Sequence, residues 1–470
     1  MRQANLVIVA NALPVRLVRE RGSHRWQSSP GGLASALTPI AREEGGAWIG
    51  WTGEVDHPRR PFEHEGIWLV PMRYSAADAE DAYAGACNRM FWPLYHGAVR
   101  RPEYHRHWWR QYVAVNERYA KETAQIAAPG ATVWVQDYHL QLVPSMLRQL
   151  RPDVRIGFFL HIPFPPEDLF IRLPWRRSIL EGILGADVVG FQTANDARNF
   201  TRLVARLTPG VRSPYRVQLH GRSIRVKAYP ISVDAERFDK TARDPAVLAR
   251  AKAIADRLGH GRTIFLGVDR LDYTKGIDLR LKAFLQLLRS RPKSLEDAVF
   301  VQVAVPSRER IPGYQELRRN VEELVGQING RFAEVGNALV HYVRRNLPFE
   351  ELVAMYRAAD VMVVTPLCDG MNLVSKEYVA TRFDDTGVLI LSEFAGAAAE
   401  LDTALLVNPY DVDGVAEMMT RALEMPKREA AERMQAMRRT VRRRTVYRWA
   451  ASFLKDLRDT EGKGGRRLYR

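Results

Sequence analysis

Short runs of β-branched, aromatic and leucine residues recur along the chain, at 6–9, 132–135, 156–160, 187–191, 264–268, 299–303, 361–364 and 388–391. They are apolar at consecutive rather than alternate positions, the pattern of strands covered on both faces. Between them lie stretches with helical periodicity. At 279–288, for example, Leu281, Phe284, Leu285 and Leu288 fall on one face. Strand–helix–strand repetition predicts parallel sheets with right-handed crossovers. The runs form two groups, separated near Pro230-Ile231-Ser232-Val233-Asp234. The expected architecture is α/β, with two Rossmann-like doubly wound domains over 1–232 and 233–446 facing a cleft. Ligands are then expected at the carboxyl ends of the strands.

Composition narrows the class. A chain of 470 residues with 46% hydrophobic residues has too much apolar character for disorder. Only Cys87 and Cys368 are present, so a disulfide framework is excluded and a reducing, cytoplasmic compartment fits. The first residues carry no pattern of a secretory signal, and no apolar run approaches the ~20 residues of a membrane span. The formal net charge is +16, which raises the question of a nucleic-acid partner. Residues 427–470, however, hold 15 basic and 5 acidic residues, so most of the surplus belongs to one terminal segment. No nucleic-acid recognition motif accompanies it.

Several chemistries lack a signature. There is no G-x-G-x-x-G, no P-loop and no nucleophile elbow. His105 and His107 lack metal-ligand spacing, and Asp411-x-Asp413 precedes a predicted helix, where an N-cap is the better reading.

Four clusters follow predicted strands or precede helices. Gly31 and Gly32 permit close backbone approach to a sugar or phosphate, or simply make a tight turn. Gln136-Asp137-Tyr138-His139 and His161-Ile162-Pro163-Phe164-Pro165 place an acceptor and an imidazole just past two strands. Arg270-Leu271-Asp272-Tyr273-Thr274-Lys275-Gly276 brings two cations to one helix start, a pattern suited to a diphosphate. A salt-bridged loop with Asp269 and Asp272 is the alternative. Asp369-Gly370-Met371-Asn372-Leu373-Val374-Ser375-Lys376-Glu377 begins a helix whose first N–H groups face an anion. Glu377 there either grips a ribose diol or stabilises the first turn.

Together with Trp92-Pro93, these motifs resemble the trehalose-6-phosphate synthase family in order and spacing, from about residue 5 to about residue 455. The resemblance implies a retaining glycosyltransferase of the GT-B type that uses no metal or other cofactor. It transfers glucose from a nucleotide sugar, usually UDP-glucose, to glucose 6-phosphate. It further implies that Arg270, Lys275, Leu373 and Val374 hold the donor diphosphate, that Glu377 binds the ribose, and that Leu347 lies against the base. Gly31 and Gly32 approach the donor, and His161 and Asp369 hold the transferred glucose. Tyr83, Trp92, Asp137 and Arg308 surround the acceptor. The expected catalytic group is thus His161, Asp137, Arg270, Lys275 and Asp369. The first domain is the acceptor side and the second the nucleotide-sugar side. Residues 447–470 form a helix that crosses back to the first domain, plus a basic tail. Neither a nucleic acid nor a membrane is an expected partner, and a homo-oligomer is compatible with the sequence.

Three positions depart from the family pattern near the acceptor. Ala12 stands where the family has an arginine that contacts the acceptor phosphate. Arg89 lies in a segment that usually reads differently, and Cys368 replaces an arginine before Asp369-Gly370. Either Arg89 or Arg16 supplies the missing charge, or the acceptor is another phosphorylated sugar. A catalytically weak sugar-phosphate sensor is the competing class. It has no need of the full set of Arg270, Lys275, Asp369 and Glu377. In the terminal segment, Val441, Trp449, Phe453, Leu454 and Leu457 offer an apolar face, with a helix expected near 447–458 and a mobile tail around Gly462, Gly464 and Gly465. Deletion of residues 460–470 is therefore expected to leave turnover intact, as a steady-state assay of the shortened chain will check.

Overall fold

A computed structural model describes residues 2–20, 23–28, 32–56, 60–213, 215–258, 261–309 and 311–460. The chain forms two compact units, Met1–Ile231 with Val446–Arg470, and Ser232–Thr445.

The first unit is built on a ten-stranded sheet. Ala4–Ala12, Ala47–Trp51 and Ile67–Met72 succeed one another toward one edge. Ala127–Gln136, Arg155–Phe159, Val188–Phe191 and Arg222–Ala228 succeed one another toward the other. All seven are parallel. Antiparallel strands close the edges: Phe62–His64 on one side, Arg216–Leu219 and Val211–Ser213 on the other. The strand direction of build-up reverses between Ala4–Ala12 and Ala127–Gln136. That reversal leaves a crevice at the carboxyl ends of these two strands. Every residue of Ala47–Trp51 and of Val188–Phe191 is buried, which is why their sequences are apolar without alternation.

The second unit carries six parallel strands. Thr263–Arg270, Ala298–Val305 and Val340–Val343 lead one way, and Val361–Val364, Val388–Ser392 and Leu405–Val407 the other. This is the 3-2-1-4-5-6 order of nucleotide-binding sheets. Its reversal falls between Thr263–Arg270 and Val361–Val364. The helix Ile277–Ser290 buries Ile277, Leu281, Phe284, Leu287 and Leu288. Leu285 is only half-buried, and the expected face is corrected by one residue toward Arg280, which is 1% exposed. Asp411 caps the helix Val412–Glu424 through the N–H of Gly414 at 2.9 Å.

The terminal helix runs over Val446–Arg458 and packs within the first unit. Val446, Trp449, Ala450, Phe453, Leu454 and Leu457 are buried at helical spacing. Phe453 stacks on Trp134 with centroids 4.6 Å apart. The strand glycines Gly157 and Gly190 make its seat: a Cβ there would lie 2.6 and 2.8 Å from the Phe453 ring. Asp456 anchors the same helix by pairing with Arg225 and by accepting from Tyr229 Oη at 2.7 Å. Arg448, Lys455 and Arg458 are exposed, with Arg458 reaching Glu44 at 2.8 Å. Val441 does not share this face. It belongs to the preceding helix Lys427–Arg443 of the second unit, because the backbone breaks between Arg443 and Val446. Gly462, Gly464 and Gly465 lie outside the described residues.

Loss of the Phe453 ring leaves a cavity against a sheet that cannot collapse onto it. Phe453→Ala is expected to lower stability by about 3–5 kcal/mol, measured by urea unfolding.

Candidate active site

In the first unit the candidate residues gather at the sheet reversal. Ala127–Gln136 ends in Asp137, whose φ of 69° is rare for an L residue. The strained turn is held by a bond from the Asp137 N–H to the Phe159 carbonyl at 2.7 Å. It also directs the carboxylate across to the next strand end, where Oδ1 accepts the His161 N–H at 3.1 Å. His161 Nε2 donates to Gln136 Oε1 at 2.9 Å, which fixes the tautomer. Desolvation among Phe159 and Trp449 pushes the imidazole down to about 3. His161 is therefore a neutral donor and acceptor, not a cation.

Tyr83 lies on the helical segment Asp78–Phe91 and stacks over His139, 6.0 Å between centroids and 12° between planes. Asp78 secures the start of that segment by accepting from the Ser75 N–H at 2.7 Å and pairing with Arg118 at 2.7 Å. Trp92 is 4% exposed and packs on Tyr138 and His96, so it shapes the floor beneath the Asp137 turn. Gly32 opens the helix Gly32–Glu43; Gly31 lies outside the described residues. Arg89 is taken up by Glu103, with contacts at 3.0 and 2.5 Å, and lies over Trp108. Arg16 donates to Gln27 at 3.3 Å. Arg89 is thus engaged by Glu103 and Arg16 by Gln27.

In the second unit the reversal brings two loops together. Arg270 ends its strand, and the turn Tyr273–Lys275 leads into the helix Ile277–Ser290. Gly276 links the two with φ 62°, where a Cβ would meet the Thr365 carbonyl at 2.5 Å; only glycine fits. Lys275 Nζ donates to Asp369 Oδ2 at 2.5 Å, and Asn372 Nδ2 donates to the same oxygen at 3.1 Å. Asn372, at φ 73°, also caps the helix Leu373–Thr381 through the Ser375 N–H at 3.1 Å. The N–H groups of Leu373 and Val374 open this helix and have no intrahelical partner. Glu377, one turn in, accepts from Tyr356 Oη at 2.7 Å; burial raises its pKa despite that bond. Leu347 is 7% exposed, in the loop before the helix Phe349–Ala358. Cys368 is half-buried in the loop before Asp369.

Asp272 is fully buried. Burial works against its charge, yet Arg308, then Arg270 and Lys275, bring it down to about 2. Arg308 sits 3.1 Å and Arg270 4.0 Å from Oδ2. Arg308 thus shares a carboxylate with Arg270, both within the second unit, whereas Tyr83, Trp92 and Asp137 belong to the first.

Three supporting residues lay outside the sequence expectations: Gln136, Tyr356 and Arg280. Each is a polar residue inside an otherwise apolar strand or helix face, and that is the signal by which it was detectable. Arg280 is the most consequential. It donates to Asp269 at 2.5 Å, Thr365 Oγ1 at 2.9 Å, Gln302 at 3.1 Å and the Lys275 carbonyl at 3.2 Å. Among the described residues no group of three or more His, Cys, Asp or Glu forms a metal cluster, and no helix is long and apolar enough to cross a membrane.

Two doubly wound α/β units, with cations and a helix start at the sheet reversal of the second, define a glycosyltransferase of the GT-B class. The chain belongs to glycosyltransferase family 20, whose profile matches residues 4–459. It is 52% identical to the trehalose-6-phosphate synthase of Mycobacterium avium (strain 104), over 98% of this chain and 97% of that one. It is also 52% identical to that of Mycolicibacterium smegmatis, over 98% and 94%. Among solved structures it is similar to the UDP-forming α,α-trehalose-phosphate synthase of Burkholderia xenovorans in complex with glucose-6-phosphate. That similarity has a TM-score of 0.90 at 36% identity and covers 97% of this chain and all of that one. An E. coli structure bound with UDP-2-fluoro glucose superposes with a TM-score of 0.88 at 33% identity, covering 97% and 99%.

The depressed titration of Asp272 has a defined consequence for stability. An unfolded aspartate titrates near 4 and the folded one at about 2. The contribution is complete above about pH 4 and is lost as pH falls through about 2; it amounts to about 2–3 kcal/mol. Urea unfolding of the native chain and of Asp272→Asn is expected to show a gap that is constant above about pH 5 and narrows as pH falls toward about 2.

Proposed function

We propose that the chain transfers glucose, with retention, from UDP-glucose to glucose 6-phosphate, forming α,α-trehalose 6-phosphate and UDP. The observation that carries this reading is the placement of Arg270 and Lys275 at the sheet reversal beside the open N–H groups of Leu373 and Val374. Four positive or donor groups on rigid strand ends and a helix start suit a nucleoside diphosphate. Glu377, already engaged by Tyr356, is oriented for a ribose diol. Leu347 supplies an apolar surface for the base. The neutral His161 and the Lys275-bound Asp369 hydrogen-bond the hydroxyls of the transferred glucose. Tyr83, Asp137 and Arg308 serve the acceptor, Arg308 its phosphate, with Trp92 beneath.

The mechanism follows from what the second unit offers. Charge accumulates on the departing diphosphate as the glycosidic bond breaks, and Arg270 and Lys275 stabilise it where it develops. The departing phosphate oxygen takes the proton of the attacking anomeric hydroxyl on the same face, so configuration is retained. No separate carboxylate base and no metal are required in this reading, because the fixed cations perform the neutralisation. The paired carboxylates of a glycosidase have no counterpart in the clusters found.

A second reading keeps the reaction but changes the acceptor to another phosphorylated sugar. It draws on Ala12 and on the engagement of Arg89 by Glu103. One assay decides both. The protein is given UDP-glucose with a panel of sugar phosphates in EDTA, UDP release is followed, and the product is assigned by NMR. The expected result is fastest release with glucose 6-phosphate, an α,α-1,1 linkage, and a loss of about 10²–10³ in kcat for Lys275→Ala. Preference for another phosphate establishes the second reading, and no release with any of them refutes an enzymatic role.

A further inference from the structure

The two arginines assigned to different substrates meet on one buried carboxylate. Asp272 divides its oxygens between two tasks. Oδ1 accepts from the Thr274 N–H and hydroxyl, both at 3.0 Å, and so is pinned to the turn that carries Lys275. Oδ2 accepts from Arg308 Nη1 and from Tyr314 Oη, each at 3.1 Å, with Arg270 Nη2 at 4.0 Å. Tyr314 closes a triangle: its hydroxyl accepts from Arg308 Nη1 at 2.5 Å while donating to Asp272. The guanidinium of Arg308 is therefore held at one nitrogen by two buried groups, and it also lies over the Tyr314 ring, 5.6 Å from its centroid.

The backbone agrees with a need for exact placement. Arg308 has φ 49° in the loop after Ala298–Val305, a conformation that costs a non-glycine residue free energy and persists only where surrounding contacts hold it. Tyr314 enters from the first turn of the helix Pro312–Phe332 and packs edge-on against Tyr273 of the Lys275 turn. Three separate segments thus converge on Asp272, and two of them carry cations.

We propose that Asp272 and Tyr314 are positioning residues that aim Arg308 at the acceptor phosphate, and that Asp272 alone also ties Arg308 to Arg270 of the donor-diphosphate site. The inference rests on the roles given to Arg270 and Arg308 above. It accounts for a chain with alanine at position 12, where the phosphate grip relies the more on a rigidly aimed Arg308. A salt bridge that only stabilises the fold makes a different prediction, since it moves melting without distinguishing the two substrates.

Tyr314→Phe separates them. It keeps the ring packing and the Arg308–Asp272 pair and removes the hydroxyl link. The KM for glucose 6-phosphate is expected to rise about tenfold. The KM for UDP-glucose, and the rate measured with unphosphorylated glucose offered as the acceptor, are expected to stay unchanged. Asp272→Asn is expected to raise the KM of both substrates. Should that variant fold poorly, Tyr314→Phe and direct calorimetric titration with glucose 6-phosphate carry the test alone. An unchanged glucose 6-phosphate KM in Tyr314→Phe, or an equal fall in turnover with glucose and glucose 6-phosphate, overturns the proposal. A native enzyme silent toward glucose 6-phosphate overturns the functional reading itself, and the proposal with it.

Discussion

A single buried cation organises the second unit. Arg280 rises from the helix Ile277–Ser290 into the sheet reversal and joins Asp269, Gln302, Thr365 and the Lys275 carbonyl. These partners lie on or just beyond three neighbouring strands and in the turn that presents Lys275. Room for the guanidinium exists because Gly267 has no side chain; a Cβ there would lie 2.5 Å from Arg280 Nη1. Burying a charge is costly unless it is paired and hydrogen-bonded throughout. Here the pairing is complete enough that the loops must adopt one arrangement to satisfy it. That arrangement places Lys275 against Asp369.

The same logic extends outward from Arg280 in layers of alternating charge. Asp269 and Asp272 answer Arg280, Arg270 and Arg308; Asp369 answers Lys275. Behind the helix start, Lys376 is buried against Glu400, which Arg444 meets from the end of the helix Lys427–Arg443. Desolvation lowers the pKa of Lys376 while Glu400 opposes the shift. A site that binds two phosphorylated ligands needs excess positive charge without collapse when empty. Internal carboxylates hold these cations in place: Asp269 holds Arg280, Asp272 holds Arg308, and Asp369 holds Lys275.

Strain accompanies this organisation. Asp137, Arg308 and Asn372 all have φ between 49° and 73°. Each lies just past a strand or at a helix start in the candidate site and is held by hydrogen bonds, Asp137 to Phe159, Arg308 to Asp272 and Tyr314, and Asn372 to Asp369 and Ser375. A backbone of this kind directs a polar side chain where an ordinary strand exit would not. In the first unit the outcome is a neutral imidazole at His161, its ring held by Gln136, its backbone N–H by the Asp137 carboxylate, and packed against Trp449 of the terminal helix.

How much of this the sequence determined follows from the range of each interaction. Consecutive apolar runs specify strands buried on both faces, and the fold class follows from their alternation with helices. The loops at strand ends were legible because glycine, proline and charged residues interrupt those runs at fixed spacing. The terminal helix was legible from the spacing of Trp449, Phe453, Leu454 and Leu457, although Val441 joined a different helix where the chain turns. Partnership across strands was not legible. That Asp272 serves Arg308 and Tyr314, that Gln136 orients His161, and that Arg89 belongs to Glu103 depend on contacts between residues 14 to 42 positions apart. A linear pattern identifies which residues are able to bear charge, whereas only the packed sheet, by excluding water, decides which opposite charge each one must find.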